Sequence, residues 1–265
     1  MTNDKDIMRF DNKTAIVTGG SRGIGRGIVE RLAREGAEVL IDGRDATALT
    51  LAVKELRAEG LNVSSMAGDV TQDGHIEALV ARALDAWGRI DILCNNAAFS
   101  DPGTVLDLSR QQWDRVLAVA LTAPFFLSQA VARHMVEAGR GVILNVSSVA
   151  AHGADDNVNY AAAKSALLSV TRDFAKELGP KGVRCVAISP GWVDTPMVAE
   201  HTPPEMLRTL REGFTRVPLR RLITIDEVTA LCAFAASDEA SAITGCELLV
   251  DGGMVADLHV LPTLA

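Results

Sequence analysis

Short runs rich in Val, Ile and Leu alternate with longer amphipathic stretches along all 265 residues, and this alternation restricts the fold more than any other feature. "KTAIVTGG", "EVLIDGR", "NVSSMAGDV", "IDILCNNAA", "GVILNVSS", "VRCVAISP" and "CELLVDGG" read as strands. Between them, "GIGRGIVERLAREGA", "DATALTLAVKELRAEG", "HIEALVARALDAWG", the long "QQWDRVLAVALTAPFFLSQAVARHMVEAG", the stretch around Tyr160 and "IDEVTALCAFAAS" read as helices. The second of these starts at Asp45, a residue suited to cap it. Repeated strand–helix units predict an α/β, doubly wound (Rossmann-type) domain, with a parallel sheet flanked by helices and right-handed crossovers.

No linker, repeat or low-complexity run interrupts the pattern, so residues 1–265 are expected to form one domain. Aromatics make up only 4% of the chain and hydrophobic residues 48%, so the core must be built from Ala, Val, Leu and Ile. That composition suits helices packed closely on a buried parallel sheet. The net charge of −8 argues against a nucleic-acid partner, whose phosphates demand Lys and Arg. The opening "MTNDKDIMRF" has no apolar signal core, and no uncharged run reaches the roughly 18 residues that span a bilayer, so a cytoplasmic protein with no membrane partner is expected. Cys94, Cys185, Cys232 and Cys246 lie far apart without metal-ligand spacing; buried thiols are expected, and no metal.

The first strand runs into "TGGSRGIG", which opens the first helix. Gly19, Gly23 and Gly25, with Ser21, Arg22 and Ile24 between them, form a G-x-x-x-G-x-G turn. Glycines permit a tight turn and close backbone approach, and a helix N-terminus favours a pyrophosphate. The second strand ends in "IDGRD". Arg44 with Arg22 would clamp the 2′-phosphate of NADP, whereas Asp42 would accept the ribose hydroxyl of NAD. NADP is the favoured cofactor, with NAD as the alternative.

Tyr160 is the only tyrosine, and Lys164 follows it one helical turn later within "NYAAAK". A phenol is a poor acid near neutrality, with an ordinary pKa of about 10. A lysine on the same helix face brings positive charge that makes the phenol easier to ionise. Such a pair suits protonation of the oxyanion left when a hydride reaches a carbonyl carbon.

Taken in order, "TGGSRGIG", "GDV", "NNAA", "NVSS", "NYAAAK", "SPGWVDTPM" and the closing "ASDEASAITGCELLVDGG" resemble the classical short-chain dehydrogenase/reductase family over roughly residues 10 to 255. The resemblance, which extends to 3-oxoacyl reductase-like members, implies a nicotinamide cofactor, a small carbonyl or alcohol substrate and a homotetramer or dimer. It implies that Tyr160 is the general acid/base, that Lys164 tunes it and holds the cofactor ribose, and that Ser148 steadies the substrate oxygen. By the same resemblance Asp69 and Val70 flank the adenine, Asn96 lies near the ribose, and Val193 and Thr195 meet the nicotinamide carboxamide. The family's usual spacing points to Ser147, but the "SSV" pattern points to Ser148, and Ser148 is chosen.

One position departs from the family. Seven residues after Trp113, where an asparagine usually helps hold a proton-relaying water, stands Ala120. A slowed or rewired relay is expected. The proline-interrupted segment 191–224 is expected to be a loose substrate lid lined by Trp192, Met197, Met206 and Phe214. Phe99, His152 and Asp155 are further candidates for the mouth, and the apolar tail 254–265 for packing on the cleft or on a neighbouring subunit. The activities that fit are a ketone reductase or secondary-alcohol dehydrogenase, a 3-oxoacyl-thioester reductase, or a non-catalytic dinucleotide sensor.

Overall fold

The computed structural model describes residues 8–153 and 157–256. Seven strands form one parallel sheet: β1 (Thr14–Thr18), β2 (Glu38–Gly43), β3 (Val63–Ala67), β4 (Ile92–Asn95), β5 (Gly141–Val146), β6 (Val183–Pro190) and β7 (Glu247–Val250). They lie in the order β3-β2-β1-β4-β5-β6-β7, and every neighbouring pair is parallel. Strand order reverses direction between β1 and β4. In such sheets ligands bind outside the carboxyl ends of the strands, at this reversal.

The helices α1 (Gly23–Arg34), α2 (Ala46–Ala58), α3 (Asp73–Trp87), α4 (Arg110–Leu117), α5 (Ala123–Glu137), α6 (Val158–Leu178), α7 (Pro196–His201), α8 (Pro204–Gly213) and α9 (Ile225–Ala236) complete the domain. Strand residues alternate between two core layers, as a period of two requires. Ala15, Val17, Val39 and Ile41 pack with Ile28 and Leu32 of α1, Leu49 and Leu56 of α2, and Cys232 of α9. Ile16, Leu40, Leu93 and Ile143 face the other way, against Leu79 of α3, Leu127 and Val131 of α5, and Leu178 of α6. The carboxylate of Asp45 caps α2 by accepting the Ala48 N–H at 3.0 Å. All four cysteines are free thiols, three of them buried.

Two sequence expectations need correction. The long apolar helix is not continuous: one turn of π-helix, Ala118–Thr122, separates α4 from α5. Segment 191–224 is not a loose loop either, because it holds α7 and α8. Its prolines start these helices rather than break them. Pro196 and Pro204 occupy first-turn positions, where a missing N–H removes no helical bond.

Candidate active site

The turn after β1 is held open by glycine and braced from β4. Gly19 and Gly23 have φ of 65° and 56°, in the left-handed region that glycine tolerates. A Cβ on Gly25 would fall 2.3 Å from the Gly19 carbonyl oxygen, so only hydrogen fits there. Asn96, just past β4, donates its amide to the Thr18 and Gly19 carbonyls at 3.0 and 3.3 Å. The N–H groups of Asn96 and Ala97 donate to the Thr18 hydroxyl, each at 3.0 Å. Asn96 therefore shapes the loop directly.

The start of α1 suits an anion. Arg22 precedes it without a side-chain cap, the first turn carries no acidic residue, and a Cβ on Gly23 would meet nothing within 4 Å. Uncapped N–H groups with no competing carboxylate are what a pyrophosphate requires, so the loop fits a dinucleotide.

Asp42 does not face this crevice. Its side chain is 0% exposed, and its Oδ1 lies 2.6 Å from Nε2 of His75, the third residue of α3. Burial pushes its pKa up to about 6, against the opposing effect of His75. Arg22 and Arg44 are both exposed, and the Arg44 guanidinium lies over the Phe99 ring at 5.9 Å. Burial alone would raise the Asp69 carboxyl. The Thr71 N–H and hydroxyl, donating at 3.0 and 2.8 Å, together with Arg44 hold it below its usual range. Val70 beside it is buried.

At the end of β5 two consecutive serines have different surroundings. Ser147 is buried and donates its hydroxyl to the Lys164 main-chain carbonyl at 3.0 Å. Ser148 is only half-buried, and its oxygen accepts the Ala150 N–H at 3.1 Å at the head of a short 3-10 turn, Val149–His152. Of the two, Ser148 is the more exposed, and among the described residues its hydroxyl accepts a bond without donating one.

Tyr160 and Lys164 lie one turn apart on α6. The Lys164 side chain is 2% exposed and donates to the Val146 carbonyl at 2.6 Å. Its Nζ stands 5.4 Å from the Tyr160 ring centroid. Burial lowers the lysine's pKa from 10.5 to about 8, so the ammonium persists at neutral pH and sits close to its titration point.

Sequence reasoning missed Asn159. This fully buried amide donates to the Asp101 carbonyl at 3.0 Å and to the Gln112 carbonyl at 3.4 Å, and accepts the Tyr160 N–H at 2.8 Å. A signal was present: Asn159, Ala163, Leu167 and Thr171 recur every four residues, and an amide on that stripe is buried and must find partners. Ala120 lies within the π turn, also fully buried, and packs with Val116 and Ala163 against the flank of Tyr160.

Past β6, Val193 is buried and pairs with Ile223, and the Thr195 hydroxyl caps α7 by accepting the Val198 N–H at 3.3 Å. Asp194 accepts two bonds from Arg211, both 2.8 Å, which clip α8 back onto this turn. The rings of Trp192 and Phe214 meet edge to face at 5.8 Å. Met206 is exposed on α8. His152 is held by Glu247 of β7 at 2.7 Å. Asp155 and most of the tail 254–265 lie outside the described residues, as does the Met197 side chain.

Comparison with known proteins agrees with this geometry. The family model described as enoyl-(acyl carrier protein) reductase matches residues 19–255. The chain is 40% identical over 251 residues to the short-chain reductase protein NovJ of Streptomyces niveus, covering 94% of this chain and 96% of that one. It is 36% identical over 251 residues to the 3-oxoacyl-(acyl-carrier-protein) reductase FabG of Thermotoga maritima, covering 94% and 100%. The crystal structure of a short-chain type dehydrogenase/reductase from Mycobacterium marinum superposes with a TM-score of 0.87 at 29% identity, covering 95% and 99%. With the glycine turn, the serine at the end of β5 and the tyrosine–lysine helix gathered at one edge of a parallel sheet, the chain belongs to the classical short-chain dehydrogenase/reductase family of NAD(P)-dependent oxidoreductases.

Proposed function

We propose that this oxidoreductase is an NADP(H)-dependent ketone reductase or secondary-alcohol dehydrogenase in which Tyr160 is the general acid/base. The observation that supports this most is the buried Lys164 ammonium, anchored to the Val146 carbonyl and 5.4 Å from the Tyr160 ring. A nicotinamide held in this crevice would supply or accept the hydride. Ser148 donates a hydrogen bond to the substrate oxygen, and Tyr160 gives that oxygen its proton on reduction or takes it on oxidation. The Lys164 charge favours the ionised phenol and so sets how readily the proton moves. Lys164 also holds the ribose, while Asn159 keeps the backbone of Tyr160 in place.

Gly19, Ser21, Gly23, Ile24 and Gly25 would hold the pyrophosphate, Asp69 and Val70 the adenine, Asn96 the ribose, and Val193 and Thr195 the carboxamide. NADP is preferred because the one carboxylate on β2 suited to hold a ribose hydroxyl, Asp42, is enclosed, while Arg22 and Arg44 are exposed. Segment 191–224 is the substrate lid, with Trp192 and Phe214 as apolar lining. The protein acts in the cytoplasm as a homotetramer or dimer.

A second reading, a 3-oxoacyl-thioester reductase using the same residues, is supported by the full-length similarity to FabG. The experiment is cofactor oxidation with a panel of ketones and 3-oxoacyl thioesters, repeated with Tyr160→Phe. Turnover lost in the variant while cofactor binding survives is the expected result. Absence of turnover on the whole panel would instead favour a dinucleotide sensor. For the cofactor, Arg44→Ala should weaken NADP binding and leave NAD binding unchanged; equal weakening of both overturns the phosphate clamp.

A further inference from the structure

A second charged centre lies beneath the adenosine end of the site. Asp42 is the penultimate residue of β2, in register with Thr18 of β1 and Met66 of β3. One carboxylate oxygen meets His75, and the other is buried with no hydrogen-bond partner among the described residues. A half-satisfied buried carboxylate favours its proton-bearing form. The imidazole arrives from the first turn of α3 and lies directly on Gly68, where a Cβ would come within 2.1 Å of the ring. Gly68 in turn donates to the Gly43 carbonyl at 2.9 Å, joining the ends of β3 and β2. The charged group acting on the pair is Asp69 from the β3–α3 turn, which interacts with Asp42, with His75 and, from the β2–α2 turn, with Arg44.

We propose that the Asp42–His75 pair is a proton-linked selector of cofactor: with its extra proton it admits a 2′-phosphate beside Arg44, and without it the buried negative charge opposes that phosphate. The inference rests on the NADP reading above. Its proton is exchanged in a useful range, because burial pushes the Asp42 carboxyl up to about 6 while His75 opposes the rise. NAD, which lacks the phosphate, should not sense the change.

The test is the affinity for NADP+ and NAD+, measured by calorimetry between about pH 5.5 and 8.5. The proteins are the wild type, Asp42→Asn, His75→Gln and Arg44→Ala. The second ionisation of the 2′-phosphate, near pH 6, is common to all four and cancels when they are compared at each pH. Relative to Asp42→Asn, the wild type should lose about tenfold of its NADP+ over NAD+ preference as pH rises across this range, equivalent to ~1.4 kcal/mol. His75→Gln should keep the transition but move it to higher pH, because the imidazole, the main influence opposing burial at Asp42, is then gone and only the Gly43 backbone still opposes it. A ratio with the same pH dependence in wild type and Asp42→Asn overturns the proposal. If Asp42→Asn does not fold, an unmoved transition in His75→Gln does so. Arg44→Ala separates the two levels: equal loss of both cofactors refutes the NADP reading, whereas selective loss with an unaltered Asp42→Asn profile refutes the selector alone.

Discussion

The Ser147 hydroxyl is bonded to the main-chain carbonyl of Lys164, 3.0 Å away, while the Lys164 ammonium reaches back to the carbonyl of Val146 at 2.6 Å. The end of β5 and the middle of α6 are thus joined twice through neighbouring residues. Ser147 belongs to this scaffold, and the proposed substrate contact rests on Ser148.

The two serines should differ in activity rather than in stability. Ser147→Ala removes a buried hydrogen bond worth about 1 kcal/mol, and for a chain of this size should lower the melting temperature by about 2–4 °C. Ser148→Ala gives up the bond it accepts from the Ala150 N–H and should lower the melting temperature by a similar few degrees, but it alone should reduce kcat by about a hundredfold, in line with loss of one donor to a developing oxyanion. Thermal melts and steady-state kinetics on both variants check this, and an inverted pattern would assign the substrate oxygen to Ser147.

Lys164 carries a pH signature. Its pKa in the fold is about 8, below the ordinary 10.5, because burial disfavours the charged form. Between those values the unfolded chain holds a proton that the folded chain has released, so stability rises with pH through that window and the burial penalty is felt below pH 8. Activity should run the other way, with kcat/KM for reduction falling above about pH 8 as the ammonium is lost. Lys164→Met should reduce kcat by at least about a hundredfold and abolish the stability gain between pH 8 and 10.5. It should melt no lower than the wild type at pH 7, since a buried charge is replaced by an apolar side chain of similar length.

Asn159 should act on catalysis through Tyr160 alone. Asn159→Ala removes the amide that donates to the Asp101 and Gln112 carbonyls and that accepts the Tyr160 N–H. Destabilisation of about 2–3 kcal/mol is expected from the unmet buried groups. The diagnostic is kinetic: kcat falls about tenfold while the cofactor KM is unchanged, and Asn159→Asp, which keeps the acceptor for Tyr160, recovers part of kcat. Equal kcat in the two variants would reduce Asn159 to a structural role.

The sheet and its order of use were legible because a parallel strand buried on both faces leaves a plain mark, as in "EVLIDGR" and "VRCVAISP". The places of the glycine turn after β1, of Ser148 after β5 and of Lys164 on α6 were legible because each sits at a fixed offset from a strand end or along one helix face. What sequence could not supply was direction. Nothing in "IDGRD" reveals that Asp42 turns inward to His75, thirty-three residues on, because the pairing depends on two separate β–α units meeting. Prolines misled in segment 191–224, where the same residue that forbids a helix interior favours a helix start. The π turn had no sequence mark, since Ala118–Thr122 is an ordinary helix-forming run whose extra residue is stabilised by packing.

Ala120, seven residues after Trp113, stands where the family resemblance leads one to expect an asparagine, and the structure says what placing one there should do. The helix already makes its π turn there without an amide, so the backbone irregularity does not depend on that side chain. Ala120 is fully buried in an apolar cluster with Val116 and Ala163. Ala120→Asn should therefore destabilise the fold by about 1–3 kcal/mol through overpacking and a poorly satisfied amide. If an asparagine at this position governs the proton relay to Lys164, turnover and the pH–rate profile should change as well, even at temperatures where the variant is fully folded. Kinetics across pH 6 to 10, run well below the variant's melting temperature, decide the matter: a profile and turnover indistinguishable from wild type would show that proton relay in this enzyme does not involve the position at all.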